Sequence, residues 1–268
     1  MKFKTDFFYS YLKEAPLPLA LERSFECEIL SRQQFAHPIL DIGCGEGLFA
    51  QILFDEKIDV GIDPDSRELS RAKDFDMYKQ LICCFGNEIP GENESFNTIL
   101  SNSVMEHIPD LGSVLKETYR LLADDGSVYI TVPTNLFDQY SVINQLLLGV
   151  GLKGTANNYR KFFNGFWRHY HYYDVAGWRK LFSENGFEIV DSQQYCHKGV
   201  ALLNDFLAPF CLFSFISKKM FNKWYLFKLS RSIIAPLYYA MFKSKLTIQK
   251  GLQTGGIVFF HLKKVKTK

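Results

Sequence analysis

The sequence predicts an α/β fold with a doubly wound parallel sheet, and three observations carry that expectation. Apolar runs of strand length recur at 37–42, 58–62, 81–85, 95–100 and 127–132. Between them apolar residues fall at helical spacing, as in Leu48, Phe49, Ile52 and Leu53. The first run ends at Asp41-Ile42 and opens into Gly43-Cys44-Gly45-Glu46-Gly47 before its helix. Strands that alternate with helices pair in parallel through crossovers, and ligands of such sheets sit at the strands' C-terminal ends.

Residues 1–36 read as an N-terminal helical segment. Phe7, Phe8, Tyr11 and Leu12, then Leu21, Phe25 and Ile29, have helical spacing interrupted at Pro16 and Pro18. In the glycine loop that follows, glycines tolerate positive φ and let a ligand approach without a Cβ in the way. The helix N-terminus behind the loop adds partial positive charge for a carboxylate or phosphate. A dinucleotide site wants Gly-x-Gly-x-x-Gly; here Leu48 stands where the third glycine belongs. The second run ends in Asp63, twenty residues past Gly43, where an acid is placed to hydrogen-bond the ribose hydroxyls of an adenosine-containing cofactor. A plain tight turn between strand and helix is the other reading of the glycines.

Pro64-Asp65-Ser66 begins a second helix, with proline and acids in its first turn, which reaches Met77. The third strand is 81–85, a polar loop covers 86–94, and the fourth strand runs into Ser101-Asn102-Ser103-Val104-Met105-Glu106-His107. A helix over 111–122 and the turn Ala123-Asp124-Asp125-Gly126 lead to the fifth strand. Residues 135–173 form an insertion rich in aromatics, which suits a lid over the strand ends where substrate would sit; a packed cap without substrate contact is the other reading. Asp174 caps a further helix that stops at Asn185-Gly186. Strands follow at 187–190 and 256–262. One domain thus comprises 37–198 and 251–268, interrupted by an aromatic, basic helical insertion at 199–250.

Four of these stretches carry a family resemblance: Asp41–Gly47, Gly61-Ile62-Asp63, Ile89-Pro90 with Ser95-Phe96-Asn97, and Val104-Met105-Glu106-His107-Ile108. In that order they resemble the motifs of class I S-adenosylmethionine-dependent methyltransferases, and more narrowly the small-molecule branch that includes quinone and sterol methyltransferases. The likeness covers about 37–134 and, weakly, the region of Trp178 and Gly186-Phe187. It implies a Rossmann-like, seven-stranded sheet whose last strand is antiparallel, decorated here with helical insertions. It also implies S-adenosyl-L-methionine as cofactor and a small-molecule or lipid-linked acceptor, methylated at oxygen or carbon. Carried over residue by residue, Gly43, Cys44 and Gly45, with Asp41 beside them, meet the cofactor's methionine part. Asp63, followed by Pro64, falls on the ribose-binding acid, and Ser101, Asn102 and Ser103 match positions at the methionine end. The carboxylate that usually meets the adenine amine is absent. Phe85 occupies its place, and Asn87 takes over if the loop is two residues short.

Methyl transfer from a sulfonium is an in-line displacement, so the protein mainly has to align the acceptor with the methyl carbon, and no metal is required. For a hydroxyl acceptor a base helps, and His107 is the candidate because imidazole titrates near neutral pH. The competing role for His107 is structural, fixing the loop before Pro109. His169, His171 and Tyr172 are reserve bases; the two histidines lack an acid at ligand spacing in sequence, so no metal is expected.

Charge is unevenly spread. From Lys198 onward thirteen basic residues face Asp205 alone, while the rest of the chain holds 18 basic and 28 acidic residues. The tail is therefore cationic and aromatic on an acidic body. Its apolar runs, 206–216 and 233–242, each contain proline and fall short of the roughly 20 residues needed to span a bilayer. Aromatics beside lysines suit the headgroup region of an anionic membrane, and too much apolar surface is mixed in for nucleic acid. Packing of the insertion on itself or on a second copy is the alternative. Six cysteines without a Cys-x-x-Cys pair read as reduced, and residues 1–6 lack a signal-peptide core, which together suggest the cytoplasm with peripheral membrane contact. Two rival functions remain at this level: a nicotinamide-dependent oxidoreductase, disfavoured by Leu48, and a non-catalytic binding or scaffold protein of the same fold.

Overall fold

The computed structural model describes residues 1–221, 224, 228–246 and 254–265. The order of elements is α1 (Phe7–Glu14), α2 (Leu17–Leu30), β1 (Ile39–Ile42), α3 (Leu48–Leu53), β2 (Ile58–Ile62), α4 (Ser66–Phe75), β3 (Tyr78–Ile82) and β4 (Phe96–Asn102). There follow α5 (Leu111–Leu121), β5 (Leu122–Pro133), α6 (Val142–Gly149), α7 (Lys153–Phe166), α8 (Val175–Glu184), β6 (Phe187–Tyr195), α9 (Lys198–Leu207), α10 (Leu212–Phe221), α11 (Lys228–Phe242) and β7 (Ile257–Lys264). The strands make one seven-stranded sheet in the order β3-β2-β1-β4-β5-β7-β6. β7 is antiparallel to both β5 and β6, and the remaining pairings are parallel. This is the Rossmann-like sheet with an antiparallel last strand that the sequence predicts.

Local chemistry sets the helix starts. The carboxylates of Asp65, Asp110 and Asp174 each accept a backbone N–H in the first turn of α4, α5 and α8, from Arg67, Ser113 and Gly177. The helices pack on both faces of the sheet. One core joins α1, α2 and α3 through Tyr11, Leu21, Phe54 and Phe259. The other holds Trp178 and Phe182 of α8 against Phe260, and Trp178 Nε1 donates to the Pro133 carbonyl at 2.9 Å. Burying a side chain of this size contributes about 1.5–3 kcal/mol, so α8 is fixed chiefly by that aromatic stack.

Three expectations need correction. The third strand occupies Tyr78–Ile82, not 81–85, because Val60 and Ile62 register with Gln80 and Ile82; Cys83, Cys84 and Phe85 lie beyond its end. The turn expected at 123–126 is part of a twelve-residue β5, with a register shift between Phe96 and Thr98 absorbing the extra residues. The tail's first apolar run is also longer than the sequence suggests. α9, the turn Ala208–Cys211 and α10 continue one another over Lys198–Lys218, long and apolar enough to cross a membrane by length and composition, with little of that stretch buried. Tyr225, Phe227 and 247–253, which the sequence reading placed in the insertion and the closing segment, and the basic residues 266–268, lie outside the described residues.

Candidate active site

The glycine loop leaves β1 at the strands' C-terminal ends. Gly43 (φ +76°) and Gly45 (φ +53°) adopt the left-handed backbone the sequence predicts. A Cβ on Gly43 would come within 2.5 Å of Val104, whereas one on Gly45 would meet nothing within 4 Å. Gly43 therefore seats the loop against the end of β4, and Gly45 keeps open space above it. Asp63 ties the loop to β2: one carboxylate oxygen accepts the Gly45 N–H at 3.0 Å and the other the Asp65 N–H at 2.8 Å. A carboxylate has about four acceptor sites, so lone pairs remain for two hydroxyls. Burial raises the Asp63 carboxyl above its ordinary value while these N–H bonds pull it down.

Asp41 lies beneath the loop. It is buried and accepts from the Tyr78 hydroxyl at 2.7 Å; desolvation pushes its carboxyl up to about 7, against the pull of Tyr78. Cys44 is buried with its thiol raised by desolvation, which leaves it a packing residue without thiolate character. Pro64 and Asn87 are exposed, and Phe85, which the resemblance puts at the adenine position, is 66% exposed.

The residues expected at the end of β4 part company. Ser101 is wholly buried on the face opposite Asn102. Asn102 Nδ2 donates to Glu26 Oε2 at 2.7 Å and Ser103 Oγ to Glu26 Oε1 at 3.1 Å. Arg23 pairs with the same Glu26 at 2.7 Å, and Tyr195 adds a hydrogen bond. The sequence reading missed Glu22, Arg23, Glu26 and Glu106. A signal existed: Glu22 and Glu26, one turn apart, stand in a helix otherwise read for its apolar face.

Beyond Ser103 opens a cavity of about 290 Å³, walled by α2, the end of β4, the 135–173 insertion and the tail. Its apolar walls include Phe137, Phe163, Trp167 and Phe215, and its polar end holds Arg23, Glu106, His107 and His169. The insertion is helical, α6 and α7, and its last stretch is stitched down where the Tyr170 N–H donates to the Glu106 carbonyl at 2.8 Å. His107 lines the cavity. Its ring lies 5.1 Å from that of His169, its Nδ1 is 3.3 Å from the Arg168 carbonyl, and its Nε2 is 3.8 Å from Glu106 Oε1. Burial lowers His107 and, helped by His107, brings His169 to about 4; burial raises Glu106 to about 8. His171 is turned away, its Nε2 on the Ile108 carbonyl and its Nδ1 on the Tyr173 hydroxyl. The absence of an acid near the histidines, inferred from sequence spacing, does not hold in space: Glu106, His107 and His169 converge.

Comparison with known proteins agrees with this architecture. The family described as "Methyltransferase domain" matches residues 17–192. The mitochondrial ubiquinone biosynthesis O-methyltransferase of Bos taurus is 27% identical over 129 residues, 44% of this chain and 35% of that protein. The chain thus spans about a third of that relative's length. An S-adenosylmethionine-dependent methyltransferase from Thermotoga maritima superposes with a TM-score of 0.56 at 16% identity, covering 93% of this chain and 92% of that one. The cyclase SpnF gives 0.57 at 10% identity over 94% and 84%. At such identities the two structures speak for the fold, whereas the family match extends from α2 through the glycine loop, Asp63, Glu106 and the insertion to β6. The chain belongs to the methyltransferase-domain family.

Proposed function

We propose that this chain methylates a ring-bearing or lipid-linked small molecule at a hydroxyl group, with S-adenosylmethionine as donor. One arrangement carries the reading: a glycine loop tied to Asp63 opens beside a cavity that is aromatic along its walls and polar at its Glu106–His107 end. The open space over Gly45 and the spare lone pairs of Asp63 fit a nucleoside with a carboxylate-bearing tail. When bound, S-adenosylmethionine supplies an electrophilic methyl group on a sulfonium. Asp63 would accept the ribose hydroxyls, and the open side of the Gly43–Gly45 turn, whose own N–H groups are held by Ile62 and Asp63, would face the methionine part. Asp41 supports that turn from below, and Ser103 and Asn102 are held at its far side by Glu26. Pro64 and Asn87 would border the adenosine at the rim.

His107 is the base. With Nδ1–H donated to the Arg168 carbonyl, its Nε2 carries the lone pair that takes the acceptor's hydroxyl proton. Burial lowers its pKa, so the imidazole is neutral and ready at physiological pH. The insertion and the tail close the cavity over the acceptor and exclude water. Lys198–Lys218, apolar and largely uncovered, supports peripheral docking on a membrane from which a lipid-linked acceptor would enter. The nicotinamide and scaffold readings gain no such arrangement.

The test is calorimetric titration with S-adenosylhomocysteine, S-adenosylmethionine and NAD, followed by label transfer from methyl-labelled S-adenosylmethionine to a panel of phenols, quinols and lipid extracts. Micromolar binding of both sulfur nucleosides, lost in Asp63→Ala, with label in a hydroxyl-bearing product, is expected. A folded sample that binds neither sulfur nucleoside refutes the reading.

A further inference from the structure

We propose that Trp224, supplied by the tail, is a cofactor-binding residue whose ring receives the positively charged sulfur of S-adenosylmethionine. The proposal rests on the methyltransferase reading and adds to it a contact from outside the 17–192 span of the family match. Trp224 bridges the two halves of the site. Its Nε1 donates to Glu46 Oε1 of the glycine loop at 3.1 Å, and the same residue lines the acceptor cavity together with Ser103, Glu106 and His107.

The reaction itself dictates where the sulfonium belongs. Asp63 and the open space over Gly45 take the nucleoside on one side, and His107 marks the acceptor hydroxyl on the other. In-line transfer needs the methyl carbon about 3–3.5 Å from that oxygen, with the sulfur one bond behind it. The charge therefore lies at the junction of loop and cavity, which is the junction Trp224 spans. An aromatic face attracts an organic cation through its quadrupole, and indole does so best among the side chains.

Three contacts place the ring. Besides the bond to Glu46, Phe215 packs edge-on against it, with centroids 5.5 Å apart and an interplanar angle of 77°. Lys218 Nζ lies 5.3 Å from the ring centroid and is ion-paired with Glu46, so its own charge is offset before a second cation arrives. Glu46 is thus a positioning residue that ties the tail to the glycine loop. Methyl transfer breaks the sulfur–methyl bond with its electron pair left on sulfur, forms the oxygen–methyl bond, and passes the acceptor's proton to His107. The sulfur ends as a neutral thioether. The ring's attraction ends with it, which favours exchange of the product nucleoside for a charged one.

Calorimetric titrations of the full chain with S-adenosylmethionine, sinefungin and S-adenosylhomocysteine test the contact. Sinefungin carries a protonated amine on the carbon that replaces sulfur, and S-adenosylhomocysteine is neutral at that point. Trp224→Leu should weaken the two charged ligands about 3- to 30-fold more than the neutral one, the range of a cation over an aromatic face. Trp224→Phe, which keeps an aromatic face and gives up the N–H to Glu46, should restore most of that preference. A second readout leaves the ring intact: in Trp167→Phe the indoles are the core residue Trp178 and Trp224, and sinefungin should change the emission well beyond S-adenosylhomocysteine. Equal losses for all three ligands in Trp224→Leu, or identical emission changes, reduce Trp224 to packing and overturn the contact. Wild-type protein that binds none of the three removes the methyltransferase reading and this contact with it; binding of all three without a Trp224-dependent charge preference removes the contact alone.

Discussion

Glu26 Oε2 accepts a hydrogen bond from Asn102 Nδ2 at 2.7 Å across 76 residues of chain, which locks the N-terminal helix α2 onto the end of β4. Ser103, Tyr195 and Arg23 converge on the same buried carboxylate. Truncating one partner of such a buried pair leaves the other charge stranded, a cost of about 3–5 kcal/mol. Glu26→Ala should therefore lose that much stability in urea denaturation, and Glu26→Gln, which keeps the shape and one acceptor, roughly 1–3 kcal/mol. Both variants within 1 kcal/mol of wild type would mean that the network holds nothing together.

Gly43 is constrained twice, by its left-handed φ of +76° and by Val104 at 2.5 Å from any added Cβ. An L-residue at that φ costs roughly 1–2 kcal/mol, and the clash displaces the loop as well. Gly43→Ala should remain folded in circular dichroism and bind S-adenosylhomocysteine at least tenfold more weakly. Adding Val104→Ala removes the two closest contacts, leaving the Cβ of residue 104 at 3.1 Å, and does not touch the backbone strain, so affinity should return only in part. Full recovery would assign the whole effect to crowding.

Asp41 gives the fold a pH dependence of definite sign. Its carboxyl is raised to about 7 by burial, while an unfolded aspartate titrates near 3.9. The folded state thus holds a proton that the unfolded chain has released. The associated stability is complete below about pH 4, declines as pH rises towards 7, and is absent above; a shift of about three units corresponds to about 4 kcal/mol. Asp41→Asn keeps an acceptor for Tyr78 and removes the titration. The difference in unfolding free energy, variant minus wild type, should rise between pH 5 and pH 8, and a flat difference would show that Asp41 does not titrate in this range.

The sheet was legible because its signals are local: a glycine loop with an acid twenty residues on, and apolar runs of strand length, fix parallel order without reference to distant residues. The strand boundaries were less so. β3 begins at Tyr78, whose neighbours Lys79 and Gln80 are exposed and polar, and an edge strand with one wet face carries no continuous apolar run. Asp63, the acid the sequence reading placed for ribose, bonds the glycine loop through the Gly45 N–H, a contact that spacing alone did not reveal. What sequence spacing could not provide was the convergence of α2 and the insertion on the β4 end. Glu26 meets Asn102, and His169 meets Glu106, only after the sheet has folded, and a distance of 63 or 76 residues along the chain carries no periodicity to read. The continuity of Lys198–Lys218 escaped for a different reason: Pro209 looks like a break, yet it occupies the first turn of a short 3-10 segment, where a missing N–H costs nothing.

That continuous segment makes the last prediction. Phe210 and Phe213 are 75% and 82% exposed, and neither lines the cavity. On α11, Ile233, Leu237 and Met241 are exposed too, so apolar side chains face solvent from both of the tail's helical stretches. Lysines at 198, 218 and 243 lie at the ends of these stretches, which suits a surface of anionic headgroups. The full-length protein should float with anionic liposomes, less so at high salt as screening shortens the reach of the lysines. Phe210→Ser with Phe213→Ser removes two exposed rings at little cost to the fold. This double variant should lose most of its flotation while its S-adenosylhomocysteine affinity stays within twofold of wild type. Undiminished flotation would place the contact elsewhere, and weakened nucleoside binding would mean that the tail supports the cofactor side of the site as well: Lys218 pairs with Glu46 in the glycine loop, and Trp224 Nε1 donates to the same carboxylate at 3.1 Å.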